Sequence, residues 1–252
     1  MILLTDIHGN YKTMLALLDK IPQEEKDKGI AIAGDLIDRG PESKQVVQWA
    51  IDNNIQCVTG NHEDMMVDDY TEVVSQIKRR NQLPFSTSLW LMNGGYDALK
   101  SYVTYNEDKL TDRGLPSFEF DFDTFEKHAN WMNTLPTYIE FPEVKGADGR
   151  YLVISHSSIE SVWKHRNNPD KADIFRTNTI WGRPAVIQDV KEIYNVFGHT
   201  PVQNGPKIKV PFANIDTGGF YLKEKGYGQL TALEYPSMKI YQQANIEEVK
   251  YE

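Results

Sequence analysis

The chain has 252 residues, of which 40% are hydrophobic and 25% charged, proportions typical of a soluble globular protein. Its formal net charge of −9 and its sequence pI near 5.2 argue against the basic surface that binds phosphate backbones, so we expect no nucleic-acid partner. No apolar run approaches the roughly 20 residues that a membrane span needs, so we expect no membrane location either.

The first sixty residues alternate between short apolar runs and amphipathic runs, a pattern that predicts a βαβαβ arrangement. The predicted strands cover residues 2–4, 30–33 and 55–59. Asn10 can cap the first helix between them, and Pro41 suits the first turn of the second.

Residues 63–135 are predicted to be mainly helical, with breaks at Pro84, at Asn93-Gly94-Gly95 and at Gly114-Leu115-Pro116. Strand-like runs then return at 151–155, 194–197, 214–216, 229–234 and 239–242. The order of elements predicts a single domain over residues 1–252, of the α/β (α+β) class. We expect a mixed β-sandwich flanked by helices, with the helical excursion as one wall of a site.

Polar clusters directly follow the first three predicted strands, each about one βα unit after the last. They are Asp6-Ile7-His8-Gly9-Asn10, Gly34-Asp35-Leu36-Ile37-Asp38-Arg39-Gly40 and Gly60-Asn61-His62-Glu63. Two isolated histidines, His156 and His199, follow later strand-like runs in the same manner. Because functional groups of open α/β sheets collect at the carboxyl ends of strands, the five clusters are expected to form one site.

Carboxylate, imidazole and amide ligands without thiolates suit Mn²⁺, Fe or Zn²⁺. Two divalent cations about 3.5–4 Å apart need a bridging carboxylate and ligands on either side, and such a pair can hold a hydroxide that attacks a phosphate ester. We therefore predict a site for two divalent ions, with Mn²⁺ as the first choice and Fe, Zn²⁺ or Ni²⁺ as alternatives.

Two other chemistries are excluded by single positions. Cys57 is the only cysteine, so a thiolate cluster is impossible, and a cysteine phosphatase loop would need Arg where Glu63 stands. A zinc protease helix beginning at His62 would need a second histidine at position 66, which is Met66. Cys57 is predicted to be a core thiol.

The combined motifs resemble the phosphoprotein phosphatase family of calcineurin-like metallophosphoesterases, especially its small phage (lambda-type) and bacterial serine/threonine phosphatases. The resemblance runs from Ile2 to about Gly218 and is weakest in the helical middle. It also includes Trp90-Leu91-Met92-Asn93-Gly94-Gly95, Ile180-Trp181-Gly182-Arg183, Phe197-Gly198-His199-Thr200-Pro201 and Ile215-Asp216-Thr217-Gly218.

The resemblance implies roles for individual residues. The first metal would take Asp6 and His8, both metals would share Asp35, and the second would take Asn61, His156 and His199. His62 would be the general acid, with Asp38 orienting its imidazole. Arg39 and Arg183 would bind the phosphate, Arg183 being assigned by the resemblance alone. Asp216 is open to two interpretations, a partner of a ligand histidine or a turn residue before Gly218-Gly219.

Three functions follow for comparison. The first is a metal-dependent phosphomonoesterase acting on phosphoserine or phosphothreonine, with phosphotyrosine and small aryl phosphates as further substrates. The second is a symmetrical dinucleoside tetraphosphate hydrolase, against which Glu63 counts, since those enzymes commonly resemble Gly-Asn-His-Asp. The third is a noncatalytic metal-binding module, disfavoured because every ligand, His62 and both arginines are present.

The first metal motif begins at Asp6, so a cleavable leader of about 15–30 residues would remove it. We therefore expect a mature cytoplasmic chain. The sequence leaves its oligomeric state open.

Overall fold

The computed structural model describes residues 1–84, 88–110, 116–221 and 224–247. Its first sheet has the strand order β12-β11-β1-β2-β3. The strands are β1 (Ile2–Leu4), β2 (Ile30–Ile32), β3 (Gln56–Cys57), β11 (Gln229–Glu234) and β12 (Lys239–Ala244). Strands β1, β2 and β3 are parallel, whereas β11 and β12 are antiparallel to their neighbours, so the three strands of the predicted βαβαβ run end at the same edge.

The second sheet has the order β6-β7-β8-β10-β9. Its strands are β6 (Tyr138–Lys145), β7 (Tyr151–Ser155), β8 (Ile193–Phe197), β9 (Lys207–Ile208) and β10 (Phe212–Asn214). Strands β7, β8 and β10 are parallel, and the antiparallel strands β6 and β9 lie at the two edges. Three further strand ends therefore meet at one edge of this sheet.

Side-chain alternation on β1 explains how the layers stack. Leu3 belongs to a buried cluster that also contains Leu152 and Val196 of the second sheet, so the two sheets pack face to face. Ile2 and Leu4 point the other way, as successive residues of a strand must, into a second cluster with the helices. The structure thus confirms the predicted mixed sandwich with helices outside.

The helices are short except for one. They are α1 (Tyr11–Asp19), α2 (Gln23–Lys26), α3 (Ser43–Asp52), α4 (Asn61–Arg80), α5 (Tyr96–Lys100), α6 (Phe122–Met132) and α7 (Ala172–Trp181). Short 3₁₀ turns lie at Trp163–His165 and Pro169–Lys171. Among the described residues, none of these helices is long and apolar enough to cross a bilayer.

The middle of the chain contains helices α4, α5 and α6, a π-helical turn at Leu91–Gly95, and also a hairpin that the sequence did not predict. Strands β4 (Val103–Leu110) and β5 (Pro116–Phe120) form this separate two-stranded sheet. The predicted break at Asn93-Gly94 is present, since Gly94 has φ of 107° within the turn. The predicted break at Gly114-Leu115 lies outside the described residues.

Two details of the predicted helix starts are wrong. Asn10 does stand at the N-cap of α1, but its side-chain amide donates to Ile7 O and accepts no bond from the helix. Helix α3 begins at Ser43, so Pro41 precedes it. Cys57 is buried in the core as predicted, and burial raises the pKa of its thiol.

Candidate metal centre and phosphate site

All five sequence clusters meet where the parallel strands of the two sheets end. Loops after β1, β2 and β3 bring Asp6, Asp35 and Asn61 from the first sheet, and loops after β7 and β8 bring His156 and His199 from the second. They surround a cavity of about 60 Å³. Its lining comprises Asp6, His8, Asp35, Arg39, Asn61, His62, Arg183, His199, Pro201, Asp216, Gly218, Gly219, Phe220 and Tyr221.

On one side of the cavity, several nitrogen and oxygen atoms that could bind a metal lie close together. His156 Nδ1 lies 2.9 Å from Ala33 O, and because a carbonyl only accepts, this nitrogen carries a proton. His156 Nε2 lies 2.9 Å from Asn61 Oδ1 and 3.3 Å from Asp35 Oδ1. His199 Nδ1 lies 3.1 Å from the same Nε2 and 2.8 Å from Asn61 Oδ1. Such a cluster of nitrogen and oxygen donors fits a divalent cation.

The other side is built in the same way around His8. Its Nδ1 lies 2.9 Å from Ile37 O, which fixes the proton there and turns Nε2 toward two carboxylates. Nε2 is 3.8 Å from Asp6 Oδ1 and 3.6 Å from Asp35 Oδ2. Asp35 thus directs Oδ1 toward His156 and Oδ2 toward His8. Among the described residues, His8, Asp35 and His62 form one buried group of donor atoms within 4.8 Å of one another, and Asp6, Asp35 and His156 form another.

The charges of these groups point to the same conclusion. Burial alone would lower the pKa of His156, but the adjacent Asp35 carboxylate raises it to about 10. Burial raises the pKa of Asp6, and the nearby Asp35 adds to that effect. Without a cation, a proton on His156 is therefore what balances the buried carboxylates.

Much of the site has an uncommon backbone conformation. Asp6, His8, Asp35, Asp38, Arg39 and His199 all have positive φ, between 50° and 74°. A non-glycine residue in this region costs about 1–3 kcal/mol and persists only where the surroundings impose it. Five of these six residues line the same cavity, and Asp38 lies behind His62, so the clustering marks this region as the functional part of the molecule.

Glu63 holds one of these loops in place. It is fully buried at the start of α4, and its carboxylate accepts from the backbone N–H groups of Asp35, Leu36 and Gly60 at 2.8–2.9 Å. Burial, with the nearby charge of Asp35, raises the pKa of Glu63 to about 7. Glu63 therefore joins the loops after β2 and β3, a role that the sequence reading missed. An acidic residue in the first turn after a strand was the available signal.

His62 and Asp38 form the predicted pair. His62 Nδ1 lies 2.6 Å from Asp38 Oδ2, and both side chains are inaccessible to solvent. Trp90, in the segment before α5, donates its indole N–H to both oxygens of Asp38 at 2.9 and 3.0 Å. Burial alone would lower the pKa of His62, but the Asp35 and Asp38 carboxylates raise it above its ordinary value. These two carboxylates therefore favour the protonated form of the imidazole.

Two guanidinium groups face the cavity. Arg39 Nη1 lies 2.9 Å from His8 Nε2, and its Nη2 lies 3.1 Å from His62 Nε2. Arg183 donates from Nε to His199 Nε2 at 3.2 Å, so the residue that the family resemblance alone had suggested lies in the cavity. Phe220 covers Arg39 with its ring centroid 5.4 Å from Cζ. No sequence motif had singled out this aromatic residue.

Asp216 conforms to the turn interpretation and not to the histidine-partner interpretation. Its Oδ1 accepts from Gly218 N at 2.9 Å. Its Oδ2 is buried and has no hydrogen-bond partner within the part of the chain that the structure describes. The ten residues predicted for the site are therefore brought together, and Glu63, Trp90 and Phe220 join them.

Comparison with known proteins gives a consistent result. The family model described as calcineurin-like phosphoesterase matches residues 1–203. The chain is 25% identical over 256 residues to an asymmetrical bis(5'-nucleosyl)-tetraphosphatase, PrpE, of Anoxybacillus flavithermus, covering 93% of this chain and 89% of that one. It is 30% identical over 135 residues to a symmetrical bis(5'-nucleosyl)-tetraphosphatase of Buchnera aphidicola, covering 50% of this chain. That match spans about half of the relative, 48%.

Solved structures share the fold. A crystal structure of a putative diadenosine tetraphosphatase aligns with a TM-score of 0.58 at 18% identity, over 97% of this chain and 92% of that one. A serine/threonine phosphatase of Saccharomyces cerevisiae aligns with a TM-score of 0.55 at 13% identity, over 99% of this chain and 81% of that one. The chain belongs to the calcineurin-like phosphoesterase family.

Proposed function

We propose that this chain hydrolyses phosphate monoesters, with phosphoserine, phosphothreonine and phosphotyrosine side chains and small aryl phosphates as its substrates. The observation that carries the proposal is the convergence of two guanidinium groups and the His62 imidazole on a cavity of about 60 Å³ that is also lined by carboxylate, imidazole and amide groups. A cavity of this size admits a phosphoryl group and leaves the rest of the substrate outside. An accessible phosphate would therefore be the main requirement.

The cations would be held by Asp6, His8 and Asp35 on one side and by Asp35, Asn61, His156 and His199 on the other. Bound there, two divalent ions, with Mn²⁺ as first choice, would supply the attacking nucleophile and neutralise phosphate charge. Arg39 and Arg183 would bind the remaining phosphate oxygens, because a planar guanidinium donates two directed hydrogen bonds to such a group. Arg39 lies beside His8, and Arg183 lies beside His199. The two guanidinium groups would therefore bind the phosphate from two sides.

His62 would hold the proton that the departing oxygen needs. Its Nδ1 donates to Asp38, which leaves Nε2 as the nitrogen that faces the cavity beside Arg39. Asp38 in turn is fixed by the indole of Trp90. His62 Nε2 would therefore face the leaving group, and the Asp38 carboxylate would favour the protonated imidazole that a general acid needs.

A second candidate, hydrolysis of dinucleoside tetraphosphates, is favoured by two observations. The relatives named above are bis(5'-nucleosyl)-tetraphosphatases. In addition, a cavity of about 220 Å³ adjoins the first and shares Arg183 with it, and its lining includes Ser158, Lys207 and Phe212. A polyphosphate chain that leaves the first cavity past Arg183 would meet a cationic and partly apolar recess there.

The deciding experiment begins with metal-stripped protein and single additions of Mn²⁺, Ni²⁺, Zn²⁺ or Mg²⁺. Turnover of p-nitrophenyl phosphate and of a phosphopeptide, both restored by a transition metal, is expected for the phosphomonoesterase. Turnover of diadenosine tetraphosphate with little monoester hydrolysis would replace it by the second candidate. A Lys207→Ala variant is the matched control, because it should impair only the larger substrate. A folded protein that hydrolyses none of the three would be a noncatalytic metal-binding module.

Two further expectations belong to this proposal. We propose that the protein works in the cytoplasm on phosphoproteins or small phosphate esters, without nucleic-acid or membrane partners. Fractionation of cells that produce the chain, followed by detection of the protein in each fraction, would test the cytoplasmic location.

A further inference from the structure

Asp216 enters the cavity from a strand end that the metal assignment does not use. Strand β10 runs parallel to β8, with Asn214 paired to Phe197. The pairing continues past the strand, where Ile215 N donates to Phe197 O at 3.0 Å. Asp216 therefore lies beside the loop that carries His199, and its side chain lines the same cavity. The parallel strand arrangement that gathers the other donors also delivers this carboxylate.

One carboxylate oxygen of Asp216 is hydrogen-bonded, and the other is available to a ligand. Oδ1 accepts from Gly218 N at 2.9 Å, whereas Oδ2 is buried without a partner among the described residues, in a side chain only 3% exposed. A buried carboxylate oxygen is costly unless something binds it. Asp6 has the same design, since its Oδ2 accepts from Thr5 Oγ1 at 2.6 Å and from His199 N at 3.0 Å. Its other oxygen faces His8.

The charges add a second reason. Burial, followed by the charge of Asp6, raises the pKa of Asp216 well above its ordinary value. The two carboxylates thus repel each other inside the protein when both are ionised. A divalent cation that binds both would remove that repulsion and satisfy the open oxygens together.

We propose that Asp216 Oδ2 is an additional oxygen ligand of the cation held by Asp6 and His8. The inference rests on the proposed function, in which that cation has three protein ligands and its neighbour has four. Mn²⁺ favours six ligands, mainly oxygen. With Asp216, each of the two cations has four protein ligands. The turn bond to Gly218 needs only one oxygen, so it leaves Oδ2 free for the cation.

The test is Mn²⁺ binding by wild type and by Asp216→Asn, followed from the electron paramagnetic resonance signal of free Mn²⁺. The asparagine oxygen can keep the bond to Gly218 while the negative charge is lost. We expect two Mn²⁺ ions per wild-type chain and an affinity about 10–100-fold lower at one of the two sites in the variant. Glu160→Gln is the matched control, because Glu160 is also a buried carboxylate with one oxygen that has no partner in the described parts of the chain, but it does not line the cavity. Its Mn²⁺ binding should equal that of wild type.

Thermal unfolding gives an independent readout. In chelator, Asp216→Asn should be at least as stable as wild type, because a neutral amide costs less to bury than a carboxyl group that can ionise, and its gain in Tm on addition of Mn²⁺ should be smaller. A purely structural Asp216 would instead lower Tm equally in both conditions, which would overturn the inference. If the variant bound two Mn²⁺ ions with unchanged affinity, the inference about Asp216 would be overturned, but the proposed function would stand. A wild type that binds no Mn²⁺ would overturn the proposed function as well.

Discussion

Replacement of Asp38 by asparagine tests the proton donor most directly. The bond between Asp38 Oδ2 and His62 Nδ1 is 2.6 Å long and sheltered from solvent. A hydrogen bond to a charged group contributes about 1.5–3 kcal/mol, which corresponds to about a 10- to 150-fold change in rate. The indole N–H of Trp90 donates to both oxygens of Asp38. In the asparagine variant it would therefore face the NH₂ group, another donor, in either orientation of the amide.

The assay compares two leaving groups. p-Nitrophenolate departs readily as an anion, whereas an alkoxide needs a proton, so Asp38→Asn should reduce kcat by the full factor only for an alkyl phosphate. Asp121→Asn, a change on the surface, serves as the control. Adding Trp90→Phe to Asp38→Asn should restore stability, by removing the donor-to-donor contact, without restoring kcat. Equal losses on both substrates would refute the assignment of His62 as the acid.

Three further changes have defined outcomes. Burial raises the pKa of Glu160 from 4.5 to about 7, so the folded state retains a proton that the unfolded chain has released in this window and stability falls as pH rises through it. We would measure the free energy of unfolding in urea at pH 5 and pH 8. Its decrease between these pH values should be about 2–3 kcal/mol smaller in Glu160→Gln than in wild type, and an equal decrease in both proteins would contradict the prediction. Leu17→Ala, in the fully buried cluster beneath the first sheet, should lower the free energy of unfolding by about 2–5 kcal/mol in the same assay. A methyl group on Gly198 would lie 2.0 Å from Asp6 Oδ2, so Gly198→Ala should abolish Mn²⁺ binding and turnover. Gly219→Ala, whose methyl would meet nothing closer than 3.4 Å, should retain both, and an active Gly198→Ala enzyme would contradict the reasoning.

Much of the site could be predicted because its residues lie next to apolar runs in the sequence. Asp6, Asp35 and Asn61 each follow a short strand of the first sheet, so the parallel connection of those strands determines that they meet. Arg183 has no such position, since it follows helix α7 in a loop, and only the family resemblance suggested it. Phe220 was missed for a similar reason, because a single aromatic residue after a turn carries no periodic signal.

The missed strands share a physical cause. Strand β6 contains Pro142 and two glutamates, and proline normally argues against a strand. Here β6 lies at a sheet edge and its register shifts between Phe141 and Lys145, so the missing N–H group is tolerated. The hairpin of β4 and β5 includes the polar run Asn106-Glu107-Asp108-Lys109, which lacks the alternation that identifies a strand.

The donor residues are divided between the two sheets, with Asp6, Asp35 and Asn61 on the first and His156 and His199 on the second. A cation shared by Asp35 and His156 would therefore act as a cross-link between two layers that pack against each other through apolar residues such as Leu3 and Val196. Sliding of one sheet past the other would change the distance between donors. Metal binding should consequently slow hydrogen exchange at the facing strands β1 and β8, far beyond the loops that carry the ligands.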